Sequence, residues 1–442
     1  MKKKWMSLAV AAAMTLSLAA CGGGSSSGGE TTAAGGSQTE AEGGGAADTA
    51  SIPEQTIKIT HPQPEGTPED DAIKTLAARI EELSGGAITC QVYPNGQIGS
   101  IPESIQSVQM GVTQIALGPC AIIASYCEDM ALMDMPYLLP EDPQVISEVL
   151  NTEIGRELLD HLDETGIHGL GFWFGGFRLM TSNKDINSVA DMKNQKIRIM
   201  ESNILTSTYK ALGAQPLVIA YSETYNALQN GTVDGEENPA QSIYTMNFHE
   251  VQKYLVDTYH DAQTHVLMVN KAWWDGLDAA TQEIILQAEQ EGREVLDTEL
   301  GPFTEDCIQK MVDYGCVYHA FTPEQIQEFA DATSVVYDEF LTTDWRKDYI
   351  TRLQAAFDEA MAAKESGAAE ETEAVEAEDA AETEAAEAED AAEAEAEDAA
   401  ETEAEDAAET EAEDAAEAEA EDAAETEAED TADTEAAEDE AA

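Results

Sequence analysis

Basic side chains are scarce in this sequence. Its 442 residues include 21 Lys and Arg against 90 Asp and Glu, which gives a formal net charge of −69. The segment 365–442 contains 37 of these acids and neither Lys nor Arg, yet residues 1–364 alone still carry a net charge of −32. Because an acidic surface repels a phosphate backbone, this composition argues against nucleic acid as a partner.

Motifs of catalysis are also lacking. The sequence has no GxSxG elbow, no HExxH and no P-loop, and none of its seven His pairs with an evident nucleophile. The stretch "GLGFWFG", residues 169–175, resembles a dinucleotide-binding turn only in part, since Phe174 stands where the third glycine belongs. An enzyme is therefore the least expected class, and no cofactor is expected.

Metal sites lack support as well. In "QNGTVDGEENPAQ", residues 229–241, Asp234 and Glu236 fit an EF-hand ladder, but Asn238 and Pro239 break it. We expect these acids to serve turns and the solvated surface, with Gly231 ending the preceding helix in a left-handed conformation. The body has five cysteines, an odd number without CxxC spacing or a Cys/His cluster, so we expect no zinc and mostly small buried thiols, although a disulfide remains open.

The N-terminus has a secretion pattern. Three lysines precede a short apolar stretch that ends in "LAAC", and residues 1–20 therefore read as a signal peptide. The cysteine, Cys21, and its small neighbours resemble a bacterial lipobox, which implies lipidation and an extracytoplasmic, membrane-anchored protein. An ordinary signal with a chance cysteine is the alternative. Residues 21–54, rich in Gly, Ser, Ala and Thr, predict a flexible tether.

The C-terminus is repetitive. A Glu-Asp pair recurs at residues 378, 389, 397, 405, 413, 421 and 429, and it settles into an eight-residue period. Ala and Glu favour helix, but acids three and four residues apart repel one another when no base offsets them. We therefore predict a mostly disordered polyanion over 365–442 that gains helix on acidification.

The remaining body is predicted to be α/β. Helix-start signals occur at Thr67-Pro68 and at Thr322-Pro323, where a hydroxyl cap precedes a proline. From residue 326, five apolar side chains fall on one helical stripe, which indicates core packing. Short apolar runs predict strands at "TIKITH" (56), "AITCQVYP" (87), "QIALG" (114), "IHGLGFWF" (167), "KIRIM" (196), "PLVIA" (216) and "THVLMVN" (264).

Two of the seven arginines lie at or after predicted strands. Arg178 stands in "GGFRLMTSN" and Arg198 in "QKIRIMES", positions from which a side chain can project into a cleft. A guanidinium there can grip a carboxylate through two hydrogen bonds. Salt bridges to abundant surface acids explain both residues equally well from composition alone.

Several collinear motifs resemble the solute-binding proteins of TRAP transporters, the DctP-type family. They are the segment from "GGFRLMTSN" to "NPAQSIY" over residues 175–244, then "YPNGQIGSIPESIQSVQMGVTQIALG", "MPYLL", "VQKYLVDTYH" and "VNKAWWDGLDAATQEIILQAEQEG". The resemblance covers nearly all of 55–364. It implies a two-lobed periplasmic-binding-protein fold of the type II-like kind, with a cleft between the lobes and no catalysis.

The resemblance also implies roles for particular residues. Arg198 would form the paired salt bridge to the carboxylate of a small organic acid, such as a C4-dicarboxylate or a sugar acid, and Arg178 would add a second donor. Asn238 would bond the same carboxylate, Tyr221 would pack on the ligand, and Gln97 would contribute from the first lobe.

Lobe boundaries follow from the same resemblance. Lobe I would comprise 55–175 and 264–303, and lobe II would comprise 176–263 and 304–364 with a long bracing helix. The loaded protein, a monomer, would dock on TRAP membrane subunits. Replacements such as "RIM" and "LVIAYSE" flank the cleft and leave the identity of the acid open. An ABC-type binding lipoprotein for a neutral solute and a surface protein acting through its polyanionic tail are the alternatives.

Overall fold

This computed structural model describes residues 52–366. Ten strands in this range form one sheet, against which the helices pack. The predicted signal peptide, Cys21, nearly all of the tether and nearly all of the acidic tail lie outside these residues. The strands are β1 (Gln55–Thr60), β2 (Ile88–Tyr93), β3 (Ile115–Pro119), β4 (Ile167–Ser182), β5 (Lys196–Ile199), β6 (Gln215–Val218), β7 (Gly235–Pro239), β8 (Tyr254–Asp257), β9 (Ala262–Asn270) and β10 (Val317–Ala320).

Helices cover the sheet. They are α1 (Pro68–Leu83), α2 (Ile101–Gln109), α3 (Cys120–Ile123), α4 (Pro143–Leu150), α5 (Glu153–Asp160), α6 (Val189–Met192), α7 (Asn203–Ala211), α8 (Thr224–Gln229), α9 (Ala240–Thr245), α10 (Lys271–Asp275), α11 (Ala279–Tyr314), α12 (Pro323–Thr333), α13 (Val335–Phe340) and α14 (344–366). Every residue of β3 and of β9 is buried, as expected for strands with both faces covered.

The sheet joins two parallel groups through two antiparallel strands. Its order is β2-β1-β3-β9-β4-β7-β5-β6, with β8 paired to β4 and to β10. Strands β2, β1 and β3 are parallel to one another, and so are β7, β5 and β6. The 16-residue β4 links the groups, because its residues 167–177 pair with β9 and its residues 178–182 pair with β7.

A bulge marks the point where β4 changes partners. The pairing with β9 shifts register between Phe174 and Phe177, and Gly176 adopts a φ of 99°. Glycine adopts this conformation without steric cost, so the Gly175-Gly176 pair permits the bend.

The predicted helix starts are confirmed. The hydroxyl of Thr67 accepts a hydrogen bond from the backbone N–H of Asp70 at 3.4 Å, and α12 begins with a capping box between Thr322 and Gln325. Gly231, with a φ of 66°, follows α8 in the left-handed conformation. The apolar stripe from residue 326 is divided between α12 and α13, and Phe329 and Val336 are its most buried members.

The longest helix, α11, packs against α1, β4 and α9.

All five cysteines of the body are free thiols, and three of them are buried: Cys120, Cys307 and Cys316. Among residues 52–366, no helix combines the length and the apolar character that a membrane span requires.

Candidate functional site

A cavity of about 390 Å³ lies where the parallel strands of both groups end. Its wall includes residues that follow β1 and β2, the last residue of β3, residues that follow β5 and β6, and Asn238 near the end of β7. The carboxyl ends of parallel strands are the usual position of ligands in α/β sheets. This placement makes the cavity the candidate site.

Arg198 brings a positive charge to the cavity from within β5. Its side chain is 1% exposed, and Nε donates to the backbone carbonyl of Ile219 at 3.0 Å. The buried Nη1 atom has no hydrogen-bond partner among the described residues. Burial lowers the pKa of Arg198, while Glu237 and Glu236 oppose that shift. Because an arginine guanidinium stays protonated in proteins, Arg198 is a cation with an unfilled donor, and this position suits an anion.

Asn238 and Tyr221 line the same cavity. The side-chain nitrogen of Asn238 donates to the carboxylate of Glu236 at 2.5 Å, and this bond does not involve the side-chain oxygen of Asn238. Tyr221 packs edge-on against Phe248, and its buried hydroxyl has no hydrogen-bond partner within the part of the chain that the structure describes. The structure thus brings Arg198, Tyr221 and Asn238 together.

Arg178 lies elsewhere. Its guanidinium is fully buried in an ion pair with Glu237 and donates to the side-chain oxygen of Gln263, while Nη2 donates to the backbone carbonyl of Glu237 at 2.9 Å. Arg178 is absent from the cavity wall, and so is Gln97, which is exposed. Each of the three guanidinium nitrogens of Arg178 therefore already donates to an oxygen of the protein itself.

Two acids of the segment "DGEENP" are buried. The expectation that the acids of "DGEENP" serve turns and solvated surface is wrong for Glu236 and Glu237, which are both 0% exposed. Burial raises the pKa of Glu236 to about 7, although Asn238 and Arg198 act to lower it. Burial also opposes ionisation of Glu237, but the charge and the hydrogen bond of Arg178, together with those of His260, outweigh that effect and lower the pKa of the Glu237 carboxyl.

Further acids lie near the Arg178 pair. Asp134 and Asp261 are buried, and burial raises the pKa of both carboxyls, that of Asp134 to about 7, although Arg178 acts to lower them. Sequence reasoning could not find these residues, because nothing local distinguishes them from surface acids.

Among the described residues, no group of three or more His, Cys, Asp and Glu is placed to hold a metal ion.

The rest of the wall is mostly apolar, with some amides. Gln63 and Asn95 belong to it and follow β1 and β2, a position that could have suggested them from the strand predictions. His265 also borders the cavity, and burial, with Arg178 and His61 adding to it, lowers its pKa to about 3, so the imidazole is neutral at pH 7.

Comparison with known proteins gives a consistent result. The family model described as bacterial extracellular solute-binding protein, family 7 (DctP), matches residues 59–344. The C4-dicarboxylate-binding periplasmic protein DctP of Rhodobacter capsulatus is 32% identical over 290 residues, which cover 64% of this chain and 85% of that protein.

Solved structures agree. A TRAP periplasmic solute-binding protein from Desulfovibrio salexigens with bound orotic acid is 27% identical with a TM-score of 0.67, and the match covers 69% of this chain and 99% of that one. A second, from Sulfurospirillum deleyianum with bound succinate, is 32% identical with a TM-score of 0.64, and the match covers 69% and 100% of the two chains.

Proposed function

Since this chain belongs to the bacterial extracellular solute-binding proteins of family 7, the DctP-type proteins of TRAP transporters, we propose that its cavity captures a small organic acid by the carboxylate. The relatives named above bind C4-dicarboxylates, orotic acid or succinate, which supports an acid as ligand over the neutral solute of an ABC-type lipoprotein. Family membership likewise favours solute capture over a purely structural surface role.

The observation that carries this proposal is the unfilled donor of Arg198. A buried guanidinium without a full set of acceptors is costly, and a ligand carboxylate supplies acceptors in the planar geometry that the guanidinium prefers. Asn238 and Tyr221 border the same space and would add hydrogen bonds to the carboxylate or to its neighbouring atoms.

Arg178 has a different proposed role. Its ion pair with Glu237 cancels a buried negative charge close to Arg198, and its bond to Gln263 fixes a side chain of the cavity wall. It would therefore position the site and would not touch the ligand. Gln97, which is exposed, is not assigned a contact with the acid.

The acid would be bound between two lobes. Lobe I would comprise 55–175 and 264–303, and lobe II would comprise 176–263 and 304–364, with α11 packing on elements of both. Closure would bury the Arg198 contact, and the closed monomer would be selected by the membrane subunits of the transporter through differential affinity. Lipidation at Cys21 would hold the protein on the extracytoplasmic face.

Thermal melting of the full-length protein tests the proposal. A ligand that binds only the native state raises the melting temperature by mass action. The panel contains organic acids, their amides, neutral sugars and amino acids. Stabilisation by an acid and none by its amide supports carboxylate capture, whereas stabilisation only by neutral solutes contradicts it.

A further inference from the structure

The charges around the cavity discriminate between classes of acid. Among the described residues of its wall, Arg198 is the only permanent cation, and the neighbouring His265 is neutral at pH 7. Arg178, the other buried arginine nearby, is committed to Glu237. One cationic side chain can compensate one carboxylate.

A second carboxylate would meet unfavourable surroundings. Glu201 belongs to the wall, and Glu236 lies directly behind Asn238, to which it is hydrogen-bonded. A buried charge that lacks a counter-ion loses its hydration without a compensating attraction, and nearby acids add repulsion. The site is therefore built for a single negative charge.

Apolar side chains form much of the cavity wall. Some come from segments before β4 and others from segments after it, and the members are Ile101, Pro102, Ile122, Met200, Ile219 and Met246. Methionine side chains are flexible and polarizable, so Met200 and Met246 can adapt to a ligand of irregular shape. Walls of this kind favour an apolar ligand body.

Several polar side chains of the wall already have partners. Gln263 bonds Arg178 through its oxygen and His265 through its nitrogen, the latter at 2.8 Å. The Asn238 amide is bonded to Glu236, and the Ser100 hydroxyl donates to Glu103 at 2.7 Å. Fewer groups are thus free for the many hydroxyls of a sugar acid.

We propose that the ligand is a monocarboxylic acid with an aliphatic or aromatic body, in preference to a dicarboxylate or a sugar acid. This inference rests on the proposed function and narrows it. The carboxylate binds Arg198, and the body packs on the apolar side chains of the wall.

Matched acids test the inference by calorimetry on the full-length protein. The pairs are benzoate with terephthalate and hexanoate with adipate, and gluconate and hexanamide complete the set. We expect an apolar monoacid to bind roughly tenfold or more tightly than its diacid, since the second charge finds no partner. Gluconate should also bind more weakly than hexanoate.

The outcomes separate the two proposals. Equal or tighter binding of a diacid or of gluconate overturns the monocarboxylate inference and leaves acid capture intact. Binding of hexanamide as tight as that of hexanoate, or no binding of any acid, overturns the proposed function itself.

A substitution at the cavity rim tests the charge argument separately. Val218 lines the cavity and is 58% exposed, so Val218→Lys adds a second cation with little strain. We expect the affinity for adipate relative to hexanoate to rise about two- to fivefold, the range of a partly exposed ion pair. Val335, which is 54% exposed on α13 and outside the wall, provides the matched control, Val335→Lys. An unchanged ratio in Val218→Lys would refute the argument from charge.

Discussion

Replacing Arg198 by alanine removes the cation that the proposed ligand requires. A carboxylate buried without its charged partner loses about 3–5 kcal/mol of binding free energy. Because about 1.4 kcal/mol corresponds to a factor of ten, the affinity should fall by roughly two to three and a half orders of magnitude. Arg198→Lys should recover part of this loss, since it restores the charge without the planar fork.

The same substitution should leave the fold nearly intact. Within residues 52–366, Arg198 contributes one hydrogen bond, from Nε to the carbonyl of Ile219, worth about 1 kcal/mol, but its buried Nη1 has no partner there, at a comparable cost. These contributions nearly cancel, so the free energy of unfolding should change by no more than about 1–2 kcal/mol. Denaturant titration measures this change.

Titration calorimetry measures the affinity with the acid that stabilises the wild-type protein most. Arg352→Ala is the control, because Arg352 is exposed, pairs with Glu157 and lies outside the cavity wall. Wild-type affinity in a folded Arg198→Ala protein would refute the reasoning.

Three further predictions concern neighbours of Arg198. Burial raises the pKa of Glu236 to about 7 although Asn238 and the two arginines act to lower it, and a bound carboxylate should raise it further. Binding then takes up a proton, so calorimetry should show affinity falling by up to about tenfold per pH unit above pH 7, and Glu236→Gln should flatten this dependence. Glu237→Gln leaves Arg178 buried without its counter-charge and should lower the free energy of unfolding by about 3–5 kcal/mol in urea titrations; an unchanged midpoint would contradict the pairing. Tyr221→Phe should keep the melting temperature of the free protein but weaken acid binding roughly tenfold in calorimetry; wild-type affinity would refute a contact between the hydroxyl and the ligand.

Strands with continuous apolar runs could be predicted from sequence. All seven of the predicted strands exist, although β4 extends eight residues beyond the predicted "IHGLGFWF". The extension could not be predicted because a Gly-Gly pair is typical of a strand end, whereas the structure accommodates Gly175-Gly176 as a bulge within one strand.

Three strands could not be predicted. The residues of β7, "GEENP", are acidic and contain a proline, which is the composition of a turn. They form a buried strand because Glu237 finds Arg178, a partner 59 residues away in sequence. Strands β8 and β10 have four residues each and pair with one another across the chain, and such short segments carry little periodic signal.

The residues of the site also divide into those that the sequence could indicate and those that it could not. Resemblance to a family directed attention to Arg198, Tyr221 and Asn238, which border one cavity. It could not indicate that Arg178 is taken up by a buried acid, since that depends on a contact between β4 and β7. The apolar walls were also beyond prediction, because they assemble from segments that are distant in sequence.

The most direct measurement is a crystal structure of the protein with the acid that stabilises it most. The account predicts that the carboxylate of the ligand lies within hydrogen-bond distance of the Arg198 Nη1 atom, while Arg178 keeps its ion pair with Glu237. A carboxylate bound to Arg178, or held in the cavity without contact to Arg198, would contradict the account.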